Sequence, residues 1–335
     1  MNYYKLLKIN NLIKNPRIKF LGLLIFHLTK RRYISVQFDP INACNLRCKM
    51  CYFTDKEYVK KLKGIFPKED LPLLSKAILS RALKLQIGCG TEPTLYKDLD
   101  TIFEIANQAK VPYISMTTNA NLIEKEKLSY WVKNGLNEIT VSLHGVHKDT
   151  YENFMGKGNF ERFLLSLQYI TEVKKEYPDF KLRINYTFNE DNFEELKEFW
   201  NVFKNITIDY LQIRPIDKIG NTEYNNFSLE KILPVYEKTY HIINKGALKN
   251  NTVLIAPKLE RLTTNKQSMN SVIQPFTYCY ISPLTFWHKD FKWKEETYDE
   301  YCKRTGWISK IINLVLAKKR TITALQNKTL NYDIF

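Results

Sequence analysis

Six short runs in this chain carry apolar residues at every second position, and helical patterns separate them. The runs are Ile34–Asp39, Lys84–Gly88, Tyr113–Thr118, Glu138–Leu143, Leu182–Phe188 and Tyr210–Arg214, starting 25–50 residues apart. Helical patterns lie near residues 68–82, 98–109, 124–134, 160–176 and 190–204, with another near 228–245 after the last run. Strands alternating with helices predict a parallel sheet of right-handed βαβ units. Asp98, Asn121 and Asn189 stand where helix caps belong.

The alternation carries a second constraint. A parallel strand covered on both faces reads as a continuous apolar run. Here Ile34, Val36 and Phe38 oppose Ser35, Gln37 and Asp39, and Leu182, Ile184, Tyr186 and Phe188 oppose Arg183, Asn185 and Thr187. One face packs on helices, and the other is a polar row repeated in six strands. A closed barrel filled with Val and Ile would lack that row. The expected fold is therefore α/β, a partial (β/α)6 TIM-like barrel with a polar lumen and helical extensions at both ends. An antiparallel sheet with one wet face is the competing arrangement, and the intervening helices weigh against it. Residues 33–220 form the expected barrel. Residues 1–32 form a basic amphipathic extension, and residues 221–335 a substrate-covering segment ending in a basic amphipathic helix.

Charge follows this division. The chain of 335 residues has a net charge of +16. Residues 1–32 hold eight Lys/Arg and no acid, and residues 303–335 hold seven Lys/Arg and one Asp. The body between them is close to neutral, which argues against a nucleic-acid groove. Hydrophobic residues at 44% and charged residues at 26%, with 11 Gly and 12 Pro, exclude a disordered or collagenous chain. Phe20–Leu28 is the longest apolar stretch and falls short of a membrane span. It is expected to be an uncleaved surface helix on a cytoplasmic protein. Both basic ends, with Trp307, Ile308, Ile311, Ile312 and Val315 on one helical face, suit either an anionic membrane surface as a peripheral partner or amphipathic helices that close the barrel's ends with solvated lysines.

Cys44, Cys48 and Cys51 stand as CNLRCKMC directly after the first strand. Three thiolates on one compact loop suit three irons of a cubane cluster and leave the fourth iron open to a small molecule. Zinc competes for the same thiols, but a structural zinc site wants a fourth ligand nearby, and no His lies in the segment.

The run DPINACNLRCKMCY resembles the cluster-binding loop of the radical S-adenosylmethionine (SAM) superfamily. Met50 stands where that family usually has an aromatic residue, and Tyr52 follows the last cysteine. The resemblance continues for about 180 residues. Gly90, Thr91, Glu92 and Pro93 resemble a GGEP motif, Thr117 to Asn121 a TTNG segment, and Val141 to Gly145 a fourth-strand motif. This implies a [4Fe-4S] cluster on Cys44, Cys48 and Cys51, with SAM contacted by Gly90, Thr91, Glu92, Pro93, Thr117, Asn119 and Ser142. It also implies an electron donor such as flavodoxin or ferredoxin. Reductive cleavage of SAM to a 5′-deoxyadenosyl radical, which takes hydrogen from a peptide or small polar metabolite, is the implied activity. A membrane-tethered glycolipid or lipid head group is the alternative substrate, and a non-catalytic metal-binding protein the alternative class. The usual Arg near Met155 is missing, so Arg183, Arg214 or Lys157 are the candidates for the SAM carboxylate, and Arg214 is preferred at the mouth of its strand.

Cys279 and Cys302 lack a CxxC partner, so no complete auxiliary cluster is expected. Either could give a hydrogen atom to a substrate radical, or be a small buried hydrophobe as lone cysteines often are. Cys89 adjoins the glycine of the SAM motif. His144 could carry a proton or serve structure. The stretch from Phe286 to Trp293 could be a lid, a single-strand platform, or ordinary packing.

Overall fold

The computed structural model describes residues 6, 9–10, 12–217, 220–263, 272–318, 321–322 and 325. Eight parallel strands form one open sheet: β1 (Ile34–Phe38), β2 (Ala82–Ile87), β3 (Ile114–Thr118), β4 (Leu136–Leu143), β5 (Lys181–Phe188), β6 (Tyr210–Pro215), β7 (Val253–Ile255) and β8 (Tyr278–Ile281). Their order is β8-β1-β2-β3-β4-β5-β6-β7. The six expected strands are all present and lie side by side in chain order, as successive crossovers require. Two further strands come from the C-terminal segment, one at each edge. That segment is therefore partly sheet: β8 returns to pair with β1, setting Val36 opposite Cys279 and Gln37 opposite Tyr280.

Apolar positions of each strand face the helical layer. Helices α1 (Pro16–Leu28), α2 (Leu99–Gln108), α3 (Lys125–Lys133), α4 (Phe160–Glu176), α5 (Leu233–Lys249), α6 (Tyr298–Arg304) and α7 (Trp307–Leu316) supply much of that layer. Leu99, Ile102, Phe103 and Ala106 of α2 are buried at helical spacing, and Phe103 stacks on Trp131 of α3 with centroids 5.6 Å apart. Burial of such side chains contributes about 1.5–3 kcal/mol each.

The polar rows line the opposite face and are partly satisfied by one another. Ser115 donates to Gln86 at 2.6 Å, and Gln86 donates to Thr117 at 2.9 Å. Deeper in the lumen, Glu138 accepts from Tyr113 at 2.9 Å and from both Nε and Nη2 of Arg183 at 3.0 and 3.2 Å. Arg183 also lies over the Tyr210 ring at 4.6 Å. A buried, doubly hydrogen-bonded pair is the form in which such charges are tolerated. Arg183, one candidate for the SAM carboxylate, is thus committed to Glu138.

Helix caps differ from expectation. α3 begins at Lys125, and Asn121 instead donates to the Tyr151 hydroxyl at 2.6 Å and accepts from Asn159 N at 2.7 Å. Asp98 precedes α2 but binds Lys68 at 2.8 Å without capping the helix. Asn189 accepts from Asp191 N at 3.0 Å within a turn. An amide carries donor and acceptor together, so a buried turn competes well with a helix end for it. Side chains that do cap include Asn15, Asn159 and Thr297.

α1 and α7 pack on each other beneath the N-terminal strand ends. His27 packs at a tilt on Trp307 with ring centroids 4.3 Å apart, and Arg17 donates to the Ala317 carbonyl at 3.0 Å. Arg81, just before β2, donates to the carbonyls of His27 and Arg31 at 3.2 and 3.1 Å. α1 is thus only half a surface helix, since Phe20, Leu23 and His27 are buried. Among the described residues no helix is long and apolar enough to cross a membrane.

Candidate active site

The opposite, C-terminal strand ends carry the cysteine loop. β1 delivers Asp39, and the chain then turns through Pro40 to Cys51. A two-residue antiparallel pairing fixes this loop: Arg47 lies opposite Gly156, and Cys48 opposite Met155. A Cβ at Gly156 would stand 2.7 Å from the Arg47 carbonyl oxygen, so the close approach requires glycine. Cys51 N donates to the Cys48 carbonyl at 2.9 Å, and Thr54 Oγ1 donates to the Cys51 carbonyl at 2.8 Å. Met50 is buried with Phe154 and Ile216, against Tyr224 and Phe227, which seals one side of the loop.

Asp39 is fully buried and organises the end of β2. It accepts from Cys89 N at 2.6 Å, Gly90 N at 3.0 Å, Thr91 Oγ1 at 3.1 Å and the Tyr280 hydroxyl at 2.8 Å. Burial raises its pKa, and these donors pull it back. The Tyr52 hydroxyl donates to the Gly90 carbonyl, tying the cysteine loop to the same turn. Glu92 is buried as well. Its carboxylate accepts from Thr94 Oγ1 at 2.6 Å, Thr118 Oγ1 at 2.7 Å and Asn119 N at 2.8 Å, while Glu92 N donates to the Ala43 carbonyl at 2.9 Å. Pro93 opens the short helix that Glu92 caps. Gly88 has φ +74°, and a Cβ there would lie 2.4 Å from the Thr117 carbonyl oxygen. The ends of β1, β2 and β3 are therefore bound to one another and to the cysteine loop.

Asn119 completes that link. Its amide donates to Asn45 Oδ1 at 2.8 Å and reaches Cys44 Sγ at 4.0 Å, and Leu46 N donates to the same sulfur at 3.4 Å. Such donors around a sulfur orient and tune a bound metal group. Farther along, Ser142, Asn185 and Gln212 stand in one register row across β4, β5 and β6. Among the described residues Asn185 Oδ1 is buried without a hydrogen-bond partner, so this row offers an acceptor to a ligand. Arg214 sits at the rim, in register with Thr187.

The three cysteines are free of disulfides. Burial pushes the Cys44 thiol up to about 12, with Glu92 adding to the effect, and burial also raises Cys48 and Cys51. Cys44 and Cys51 repel charge on Cys48, so the three sulfurs share one field. Arg47 offsets part of this for Cys44 and Cys51, but burial outweighs it, and iron would relieve the remaining cost of gathering thiolates. Among the described residues no three His, Cys, Asp or Glu side chains gather to hold a single ion. A cubane places its thiolates on separate irons, so three sulfurs need not converge on one point. The donor set fits the cluster.

The structure brings Cys44, Cys48, Cys51, Gly90, Thr91, Glu92, Pro93, Thr117, Asn119, Ser142, His144 and Arg214 to one end of the sheet. It does not bring Cys279 or Cys302 there. Cys279 is on the apolar face of β8, and Cys302 lies in α6 beside Tyr298; both belong to the main core. Neither faces the lumen, which corrects their reading as hydrogen donors. His144 is buried, bonds Thr187 Oγ1 through Nδ1, and is lowered to about 3 by burial and then by Arg214. It is neutral near pH 7, a poor proton carrier. Lys157 is exposed. The 286–293 stretch is packing: Phe286 stacks on Trp293 at 5.0 Å, and Trp293 lies 5.6 Å from Phe66. Asp39, Asn45, Asn185 and Tyr280 were missed as site residues. For Asp39 the available signal was a carboxylate on the lumen face of a strand immediately before proline.

Residues 38–203 match the sequence model of the Radical SAM superfamily. A probable GTP 3′,8-cyclase of Saccharolobus solfataricus is 28% identical over 183 residues, covering 53% of this chain and 56% of that protein. A probable GTP 3′,8-cyclase of Metallosphaera sedula is 28% identical over 184 residues, covering 53% and 54%. The chain thus spans about half the length of the curated relatives it matches. Among solved structures, Streptococcus suis SuiB bound to S-adenosylmethionine is similar with a TM-score of 0.59, 20% identity, and coverage of 78% of this chain and 61% of that one. The enzyme anSMEcpe with bound AdoMet gives 0.53, 19%, 66% and 63%. These two likenesses show the fold, a partial barrel.

Proposed function

This chain belongs to the radical SAM superfamily, whose cofactors are a [4Fe-4S] cluster and SAM, and on that premise we propose that it cleaves SAM reductively and abstracts hydrogen from a polar substrate, a peptide or small metabolite. The observation that carries the reading is the fusion of the cysteine loop, the Gly90 turn and Asn119 into one bonded unit facing a polar lumen. Cys44, Cys48 and Cys51 would hold the cluster. Bound there, it would supply the electron for reductive cleavage of SAM.

The chain's own part is positioning and exclusion of water. Asp39 holds the Gly90 turn in place, and Glu92 fixes the spacing between β2, β3 and the loop. The Gly90–Thr91 turn, held by Asp39 and Tyr52, would receive the methionine moiety of SAM. The Ser142–Asn185–Gln212 row offers hydrogen bonds to a ribose or substrate. Arg214 at the rim suits a carboxylate. His144, held neutral, serves as a hydrogen-bonding wall. The reductant would be a small electron carrier of the flavodoxin or ferredoxin type. SuiB has also been crystallised with its precursor peptide SuiA, and that complex supports the peptide class for this lumen without selecting it.

Anaerobic iron reconstitution followed by assay of 5′-deoxyadenosine with SAM and dithionite tests the proposal. About four irons per chain and deoxyadenosine that vanishes in the Cys44→Ala, Cys48→Ala, Cys51→Ala triple variant are expected. Retention of zinc, or a full cluster without SAM cleavage, would transfer the chain to a metal-binding, non-catalytic class.

A further inference from the structure

α1 is apolar on two opposite faces. Phe20, Leu23 and His27 point into the core, whereas Ile18, Leu21, Ile25 and Leu28 form a second stripe that is 47–58% exposed. The two stripes are offset by two residues, close to half a turn of helix. A surface helix of a globular domain normally gives that second face to charged side chains. α7 has one broad apolar face that is only partly covered: Trp307 and Ile311 are buried, while Ile308, Ile312 and Leu316 are 38%, 42% and 75% exposed. α1 and α7 are neighbours, joined by the Arg17–Ala317 hydrogen bond and the His27–Trp307 contact, so the two exposed stripes lie on adjacent helices. Leu12 at 77% exposure lies on the approach to α1.

Cations surround this apolar face. Lys14, Lys30 and Arg31 flank α1, Arg17 lies in its first turn, and Lys310 and Lys318 lie on and after α7, all exposed. No acid occurs before Asp39, and no acid occurs within α7. The near-neutral barrel shows that this positive charge is local.

We propose that the paired faces of α1 and α7 dock on an anionic lipid surface. Apolar stripes would enter the boundary of head groups and acyl chains, and the flanking cations would meet the acidic head groups. A second copy of the chain is the weaker occupant, since two such faces bring like charge together. The face lies beneath the N-terminal strand ends, whereas the cysteine loop is at the opposite ends. Docking therefore leaves the lumen open to the aqueous side, and the inference does not depend on the chemistry proposed above.

The test is co-sedimentation of the full chain with vesicles of phosphatidylcholine and phosphatidylglycerol in equal parts, against vesicles of phosphatidylcholine alone. Expected are binding that is at least about tenfold stronger to the anionic vesicles and that weakens at high salt. Leu21→Glu with Ile25→Glu should reduce binding at least about tenfold with an unchanged melting temperature. Ile312→Glu, on the other helix, should act the same way. A wild-type chain left in the supernatant, or variants that bind like wild type, would overturn the proposal. So would a lipid-free dimer that the same substitutions dissociate.

Discussion

At the scale of single residues, His144 has the largest consequence for pH. An ordinary histidine titrates near 6.5, while burial and the adjacent Arg214 hold this one at about 3. Between those values the unfolded chain binds a proton that the folded chain does not. Stability from His144 is therefore complete above about pH 6.5 and declines as pH falls toward 3. The loss is about 2 kcal/mol at pH 5. Thermal melts from pH 7 to pH 5 should show a steeper fall for wild type than for His144→Asn, which keeps a polar partner for Thr187. Parallel curves would refute the assignment. The cysteine loop and much of the surrounding polar set were legible because strand alternation and thiol spacing are local signals. Asp39 was visible only as a strand end, since its worth lies in donors from Cys89, Gly90, Thr91 and Tyr280, up to 241 positions away. The same limit applied to Cys279. Its burial follows from the pairing of β8 with β1, which no local pattern announces.

At the scale of elements, the lumen divides into two zones. The lower zone is closed by its own partners, with Glu138, Arg183 and Tyr113 joined across β4, β5 and the entry to β3. The upper zone retains Ser142, Asn185 and Gln212. Arg183→Met should cost about 3–5 kcal/mol, because it leaves a buried carboxylate without its counter-charge. Adding Glu138→Leu should restore part of that loss, as removal of both charges removes both desolvation costs. Urea unfolding of the single and double variants measures this, and a double variant less stable than Arg183→Met would contradict it. The six core strands were readable because each carries its own period of two. β7 and β8 were not, because three or four residues hold too little alternation to stand out from flanking loops. The failed caps have a related cause: Asn121 precedes a helical pattern, yet its partner Tyr151 lies 30 positions away in the helix Lys148–Phe154.

At the scale of the whole molecule, the two ends of the chain close the same side of the sheet. β8 covers one edge of β1, and α6 and α7 pack around Tyr33 and His27. A chain ending at Pro257 would keep seven strands yet expose that edge and the buried stripe of α1. It should show no cooperative thermal transition, whereas the full chain should melt in one. A soluble, cooperatively melting fragment would show that the last 78 residues are an appendage.

The bond from Tyr280 to Asp39 also sets an order of events during synthesis. Asp39 leaves the ribosome about 240 residues before its partner, so at about 5–20 residues per second the Gly90 turn waits roughly 12–50 s for its last tether. Throughout that interval β1 has a bare edge and the three cysteines sit on an unfinished scaffold. A receiver with all of Asp39's donors in place is therefore complete only once translation has passed β8.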